Sequence, residues 1–366
     1  MKSQNEVDVA RRNILGVAGA CAVASTISPV FAATPPRSLR WGIVGTGGIA
    51  NGMANVIKRA DHAELAAVAS RKIETAKEFA SKHGIPNAFG SVPEMLASGT
   101  IDAVYVATPT AIREEVSLLA AAAGKHVLGE KPFANLPSLR RITAACRKKG
   151  VGFMDGTHFV HHPRTAQIKA TLREKIGAPW TIDSAFQFLL PDADNIRLDP
   201  VLEPYGAIGD AGWYNMRAAV EYTAPGVKLT GVDSYVRRGK SKAVVAASGV
   251  LAFSDGSTNT WNCGFESGAA NMDLRLAGPG GQLMVPDFVI TQGDAEYEFR
   301  KGGFGPGATI ERLKSPSAKS GSVLMFENFA AMVDDPKLFE ASVAASEKTQ
   351  EWLDAIWTQG LKNERS

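Results

Sequence analysis

The sequence predicts an α/β chain: a doubly wound parallel sheet first, then an α+β portion with a large, mostly antiparallel open sheet. Three observations carry this. Short apolar runs alternate with helical stretches up to about residue 157, long β-rich runs follow, and a glycine-rich turn closes the first apolar run.

In the first half, strands are expected at Leu39–Val44, Ala63–Ala69, Ala103–Ala107, His126–Leu128 and Gly152–Met154. Each is a brief apolar run bounded by polar or glycine residues. Helices are expected at Ile49–Arg59, Ile73–His83, Arg113–Ala123 and Pro137–Lys149. Pro137 suits a first helical turn, and Gly150 ends the last helix after Lys148-Lys149. Helices between strands imply βαβ crossovers and hence parallel pairing. After Thr157, runs rich in Val, Phe, Thr and Trp take over: Trp180–Leu190, Lys228–Arg237, Val244–Phe253, Ser257–Phe265 and Asn271–Leu276. Ser254-Asp255-Gly256-Ser257 is a hairpin signal between two of them. A helix is expected from Asp210 to Tyr222, ended by Pro225-Gly226. The tail from Leu324 reads as helical, with Trp352 and Ile356 covering a core face. The expected division is residues 38–157 and residues 158–366.

At 366 residues and 45% apolar content, the chain is long enough for two domains. A net charge of +3, with no basic run interleaved with aromatics, argues against a nucleic-acid partner. At the start, Arg11-Arg12 precedes a charge-free stretch from Gly16 to Phe31, and Val30-Phe31-Ala32 offers a small-residue cleavage site. Residues 1–33 therefore read as a twin-arginine export signal to the periplasm rather than a membrane anchor. Cys146 and Cys263, one in each half, are expected as buried thiols.

Gly45-Thr46-Gly47-Gly48-Ile49-Ala50 follows the first strand. Its glycines permit a tight turn and let a pyrophosphate approach the backbone, and Ala50 lets helix pack on strand. After the second strand stands Ser70-Arg71-Lys72, where an NAD site usually presents a carboxylate. A hydroxyl beside two cations favours a 2′-phosphate, so NADP is expected over NAD. Thr108 and Pro109, after the third strand, are expected to border the nicotinamide half. Glu130-Lys131-Pro132 ends the fourth, placing Glu130 near the nicotinamide ribose and Lys131 at the reactive end of the cofactor.

In the second half, Asp210 and Tyr214 lie four apart on one expected helix face. Alcohol oxidation needs a base for the hydroxyl proton. A phenol has an ordinary pKa of about 10, and a neighbouring ammonium such as Lys131 is expected to lower it. The bland alternative makes Asp210 an N-cap and Tyr214 a core residue. His158, Arg197 and Tyr205 are further candidate substrate contacts. His161 and His162 are adjacent and point apart, and no helical spacing aligns His158 with either, so no metal site is read here.

Taken together, the Gly45–Ala50 turn, Glu130-Lys131-Pro132 and the Asp210-x-Gly212-x-Tyr214 pattern resemble the glucose–fructose oxidoreductase and inositol dehydrogenase (Gfo/Idh/MocA) family over most of the chain after residue 38. The resemblance implies a Rossmann domain over residues 38–157 and a substrate-binding and oligomerisation domain beyond it. It also implies hydride transfer on a sugar or related polyol, with Lys131, Asp210 and Tyr214 as catalytic trio. Tyrosine in the last place is similar to the branch favouring NADP. Two departures stand out: Pro204-Tyr205 where members often carry Gly-Gly, and Thr110 and Arg113 where many carry asparagine and histidine.

Export adds an expectation. Outside the cytoplasm no NADP pool exists to exchange with, so the nucleotide should be tightly held and reset by a second carbonyl substrate. Two alternatives share the scaffold: an exported NAD-dependent glycosidase, and a non-catalytic, nucleotide-holding sugar-binding protein. One sheet face left uncovered by helices is expected to bury itself in a homodimer or homotetramer.

Overall fold

The computed structural model describes residues 37–192, 194–303 and 307–364. The expected export signal lies outside the described residues.

The first half builds β1 (Leu39–Val44), α1 (Gly48–Ile57), β2 (Ala63–Ala69), α2 (Ile73–His83), β3 (Asn87–Phe89), α3 (Val92–Ala97), β4 (Ala103–Val106), α4 (Thr110–Ala122), β5 (His126–Gly129), α5 (Leu136–Lys149) and β6 (Phe153–Asp155). All six strands pair in parallel in the order β3-β2-β1-β4-β5-β6. The order reverses between β1 and β4, which opens a crevice at their carboxyl ends, where such sheets bind ligands. β3 and α3 are additions to the sequence-based expectation. Three-residue β3 sits at the sheet edge with no apolar run to announce it, and α3 carries Pro93 in its first turn behind a Ser91 cap whose hydroxyl accepts from Glu94 N.

Next come a 3₁₀ turn at His158–His161, α6 (Pro163–Thr171) and a π turn at Leu172–Ile176. The second sheet then forms from β7 (Thr181–Leu189), β8 (Leu229–Arg238), β9 (Val244–Phe253), β10 (Thr258–Gly264), β11 (Glu266–Asn271), β12 (Leu274–Gly278), β13 (Gly281–Val285), β14 (Ala295–Gly302) and β15 (Ala308–Ser315). Its order is β15-β14-β13-β12-β7-β10-β9-β8, with β11 against β7 off this path. Only the central β7–β10 pair is parallel.

Four sequence-based expectations need correction. Asn271–Leu276 is two strands, because Asn271 Oδ1 accepts from Asp273 N and turns the chain between them. β13 to β15 went unread; in β14 the charged Glu296, Glu298 and Arg300 alternate with the inward Tyr297 and Phe299 and break up its apolar run. The helix expected from Asp210 is α7 (Trp213–Tyr222), preceded by a π turn at Ile208–Gly212 that contains Asp210. The tail is two helices, α8 (Gly321–Met332) and α9 (Pro336–Lys362), with Asp335 capping the second through Lys337 N and Leu338 N.

α9 covers the second sheet as expected: Trp352 and Ile356 are fully buried, and Trp352 packs on Phe253 at 5.2 Å between ring centroids. α8 instead returns to the first sheet, where Phe326 meets Trp41 edge-on at 4.9 Å. Edge-to-face contact suits the ring quadrupoles. The opposite face of the second sheet has no helix over it among the described residues. A row of side chains (Met284, Arg275, Asp183, Thr260, Val250) crosses that face. Cys146 and Cys263 are separate buried thiols, and burial pushes Cys146 up to about 12.

Candidate active site

The turn after β1 is shaped for a close approach of backbone to ligand. Gly45 has φ +105°, and a Cβ there would lie 2.8 Å from Ala107 O, just after β4. Only glycine lets the two strand ends abut. Gly47 caps α1 without a side-chain hydrogen bond, no acidic residue occupies the first turn, and a Cβ on Gly47 or Gly48 would meet nothing within 4 Å. Free N–H groups at an open helix start suit a pyrophosphate. Asn51, which sequence reasoning missed, fixes this turn. Its Nδ2 donates to Thr46 O at 3.3 Å and Gly47 O at 3.0 Å, and its Oδ1 accepts from Lys82 Nζ at 2.9 Å. Ile49 stands exposed beside it.

Ser70 follows β2, with Arg71 and Lys72 exposed and in no ion pair among the described residues. At the end of β4, Thr108 Oγ1 is buried with no partner, and Pro109 leads into α4. An open glycine cradle, two unpaired cations and an orphaned hydroxyl around one crevice fit a phosphorylated dinucleotide.

Beyond β5, Lys131 is bound to Pro132 by a cis peptide bond. Its Nζ donates to Asp210 O at 2.7 Å and Asp210 Oδ1 at 2.8 Å, and lies 4.9 Å from the centroid of the Tyr214 ring. Asp210 Oδ2 accepts from Arg197 Nε at 2.7 Å. Burial would raise the Asp210 carboxyl, but Lys131 and Arg197 outweigh it and hold it at about 2. The structure therefore brings Lys131, Asp210, Tyr214 and Arg197 together. Asp210 is neither an N-cap nor solvated. It is the shared counter-ion of two cations, presented by a π turn of the kind that concentrates at functional sites.

Tyr214 corrects one expectation. Its pKa is raised well above the ordinary value, first by burial and then by Glu130 and Asp210. Lys131 faces the ring rather than the oxygen. The phenol's polar neighbour is His158, whose Nε2 lies 3.3 Å from Oη. Phe186 packs edge-on against the same ring at 5.5 Å.

Tyr205 is a second correction. Its hydroxyl donates to Asp354 Oδ1 at 2.6 Å and is 3.0 Å from Ala134 O, and the residue is buried against Trp357. It braces α9 against the chain after Lys131 and offers no group to a substrate. Glu130 is buried, accepts from the Tyr105 hydroxyl, and takes Lys131 N at 3.2 Å, with burial raising its pKa. Its carboxylate is thus already held by protein donors. The histidines diverge: His161 Nδ1 meets Asn328 Nδ2 at 3.0 Å, and His162 Nε2 meets Gly293 O at 2.7 Å.

Thr110 and Arg113, which set the chain apart from the resembled pattern, form a clamp. Buried Arg113 donates to Thr108 O at 2.5 Å, to Thr110 Oγ1 at 3.0 Å and to Pro132 O. Thr110 Oγ1 donates to Glu203 Oε2 at 2.5 Å. One guanidinium thereby ties the loop after β4 to the loop carrying Lys131.

The chain is similar to known proteins in sequence and in fold. Residues 39–157 match the Gfo/Idh/MocA oxidoreductase family, described by its NAD-binding Rossmann fold. D-xylose 1-dehydrogenase (NADP(+)) 2 of Haloferax volcanii is 34% identical over 242 residues, spanning 63% of this chain and 70% of that protein. The scyllo-inositol 2-dehydrogenase (NADP(+)) IolU of Bacillus subtilis is 27% identical over 333 residues, 86% of this chain and 95% of that protein. In fold, the chain is similar to a 3-ketoreductase from Actinomadura kijaniata solved with NADP and TDP-benzene. The TM-score is 0.79 at 24% identity, covering 91% of this chain and 98% of that one. With its glycine turn, parallel sheet and second open sheet in place, the chain belongs to the Gfo/Idh/MocA family of oxidoreductases.

Proposed function

We propose that the protein is an NADP-dependent oxidoreductase acting on a CH–OH group of a sugar or polyol, with Lys131, Asp210 and Tyr214 as its catalytic groups. The observation that carries this reading is Lys131, beyond the carboxyl end of β5, reaching both Asp210 and the ring of Tyr214. It is supported by the NADP(+)-dependent sugar and inositol dehydrogenases among the relatives. The cofactor would rest with its pyrophosphate on Gly45 to Ile49, its 2′-phosphate by Ser70, Arg71 and Lys72, and its nicotinamide near Thr108, Pro109, Glu130 and Lys131. When bound, NADP supplies the acceptor or donor of hydride.

The chain's own groups manage the proton and the orientation. An ammonium has three donors. Asp210 takes two of those on Lys131, and the third is free for a substrate oxygen. Two cations on one carboxylate keep Asp210 ionised and Lys131 fixed, so the donor is pre-positioned rather than reorganised during reaction. The Tyr214 phenol, raised by burial, serves as the protonated acid when a carbonyl is reduced. Arg197 orients Asp210, and His158 stands beside the phenol.

The finer reading is a nucleotide retained through alternate turnovers: one sugar is oxidised and leaves, and a carbonyl compound then takes the hydride back. Export with cofactor loaded, and pairing of copies through the uncovered sheet face, belong to the same proposal. The test mixes purified protein with glucose, xylose, inositol and related sugars while following absorbance at 340 nm. Growth of that band with one sugar, reversed by a carbonyl compound, is expected. A flat trace with every sugar, despite bound nucleotide, overturns the activity. Absence of stoichiometric 260 nm absorbance in protein purified without added nucleotide overturns the retained cofactor alone.

A further inference from the structure

We propose that His158 is a proton relay between Tyr214 and solvent, a positioning and proton-supplying partner that acts through the phenol. This rests on the catalytic reading of Tyr214 above and goes beyond it, because it says how the phenol regains its proton.

Tyr214 is buried, and a phenol that has given up its proton needs a donor at hand. Among the described residues the only polar side-chain atom hydrogen-bonded to Oη is His158 Nε2, at 3.3 Å. Lys131 sits over the ring face, 4.9 Å from its centroid, and spends two donors on Asp210. His158 is partly exposed, and no described residue hydrogen-bonds its Nδ1. The ring thus has one nitrogen on the phenol, and the other has no hydrogen-bond partner among the described residues. The start of α8 packs close to its backbone, since a Cβ at Gly321 would lie 2.7 Å from His158 O.

The charge around the ring favours relay through a neutral imidazole. Burial, Lys131 and His161 lower its pKa to about 4. Facing it are Lys131 from the loop after β5, Tyr214 from α7 and His161 from its own turn; α8 offers Asn328 to His161. Beyond His161 lie Arg217 and Asp155, paired at 2.8 Å.

The step balances. With bound NADPH supplying the hydride that a carbonyl substrate would take at carbon, the Tyr214 O–H bond breaks and its proton passes to the substrate oxygen. The Nε2–H bond of His158 breaks, returning a proton to the phenol oxygen, and water protonates Nδ1. The imidazole ends neutral, as the other tautomer, and exchange with water restores it. Alcohol oxidation runs the same chain backwards.

The test compares the holoenzyme with His158→Ala and His158→Gln, using whichever aldose the native protein turns over fastest. For His158→Ala, kcat should fall by about tenfold or more with KM and NADP binding unchanged. Imidazole added to the buffer should restore much of the loss, which no structural role would allow. His158→Gln should remain slow, because an amide hydrogen-bonds but does not shuttle. Full turnover in the alanine variant, a loss that imidazole does not relieve, or full activity with glutamine overturns the relay while leaving the oxidoreductase intact. A native protein silent with every sugar overturns both.

Discussion

Replacing Lys131 by methionine keeps the length of the side chain and removes its ammonium. Three contacts go: the bonds to Asp210 O and Oδ1 and the cation over the Tyr214 ring. Removing one partner of a buried pair costs about 3–5 kcal/mol when the other charge is left alone. Asp210 is not left alone, since Arg197 Nε remains at 2.7 Å, and methionine suits a side chain only 9% exposed. Stability should therefore fall by less, about 1–2 kcal/mol, measurable by urea unfolding. The rate should suffer far more. Loss of a positioned hydrogen-bond donor to the reacting oxygen costs roughly a hundred- to a thousand-fold, or about 3–4 kcal/mol in the barrier. Stopped-flow formation of the 340 nm band gives the rate directly, and fluorescence titration shows whether NADP still binds. A Lys131→Met variant with kcat within tenfold of native would refute the argument. So would a variant that lost nucleotide binding in proportion to its rate, because the account gives the ammonium to the substrate and the phosphates to the glycine turn.

Gly45→Ala should lose nucleotide binding and about 1–3 kcal/mol of stability, since φ +105° and a 2.8 Å approach to Ala107 O leave no room for a methyl group; calorimetry with NADP checks both. Arg71→Ala combined with Lys72→Ala should weaken NADP by roughly tenfold or more and barely change NAD, as one charge-assisted contact is worth about 1.5–3 kcal/mol; parallel titrations that weaken equally would contradict the 2′-phosphate assignment. His126 is buried, accepts from Gly152 N at 2.8 Å through Nδ1, and has its pKa lowered to about 4, first by burial. Between about 6.5 and 4 the unfolded chain binds a proton there that the folded chain refuses, so stability falls as pH drops through that window. His126→Gln should flatten this slope in urea titrations, and an unchanged slope would count against it.

What was legible in the sequence is what local pattern determines. Gly45 to Ala50 sits between an apolar run and a helix, and Lys131 ends another apolar run, so both could be placed on strand ends without knowing the sheet. Asp210 and Tyr214 were found by spacing, although the π turn shifts their relative phase. What stayed hidden depends on distant partners. Nothing near Tyr205 says that Asp354, far along the chain, takes its hydroxyl. Nothing near Arg113 says that it will grip Pro132. Asn51 sits at an ordinary helical position and becomes informative only once Lys82 arrives from α2. The direction of the Tyr214 shift was misjudged for the same reason. Sequence spacing suggested that Lys131 would reach the oxygen, whereas folding places the ammonium on the ring face and buries the phenol near the carboxylates of Glu130, Asp210 and Asp155.

The most direct measurement is a crystal structure of the protein with NADP and its best sugar. The account predicts the nicotinamide ring between Thr108 and Lys131, and the reacting sugar oxygen within hydrogen-bond reach of both Lys131 Nζ and Tyr214 Oη. A sugar bound away from that pair, or a nicotinamide on the far side of β5 from Lys131, would contradict it.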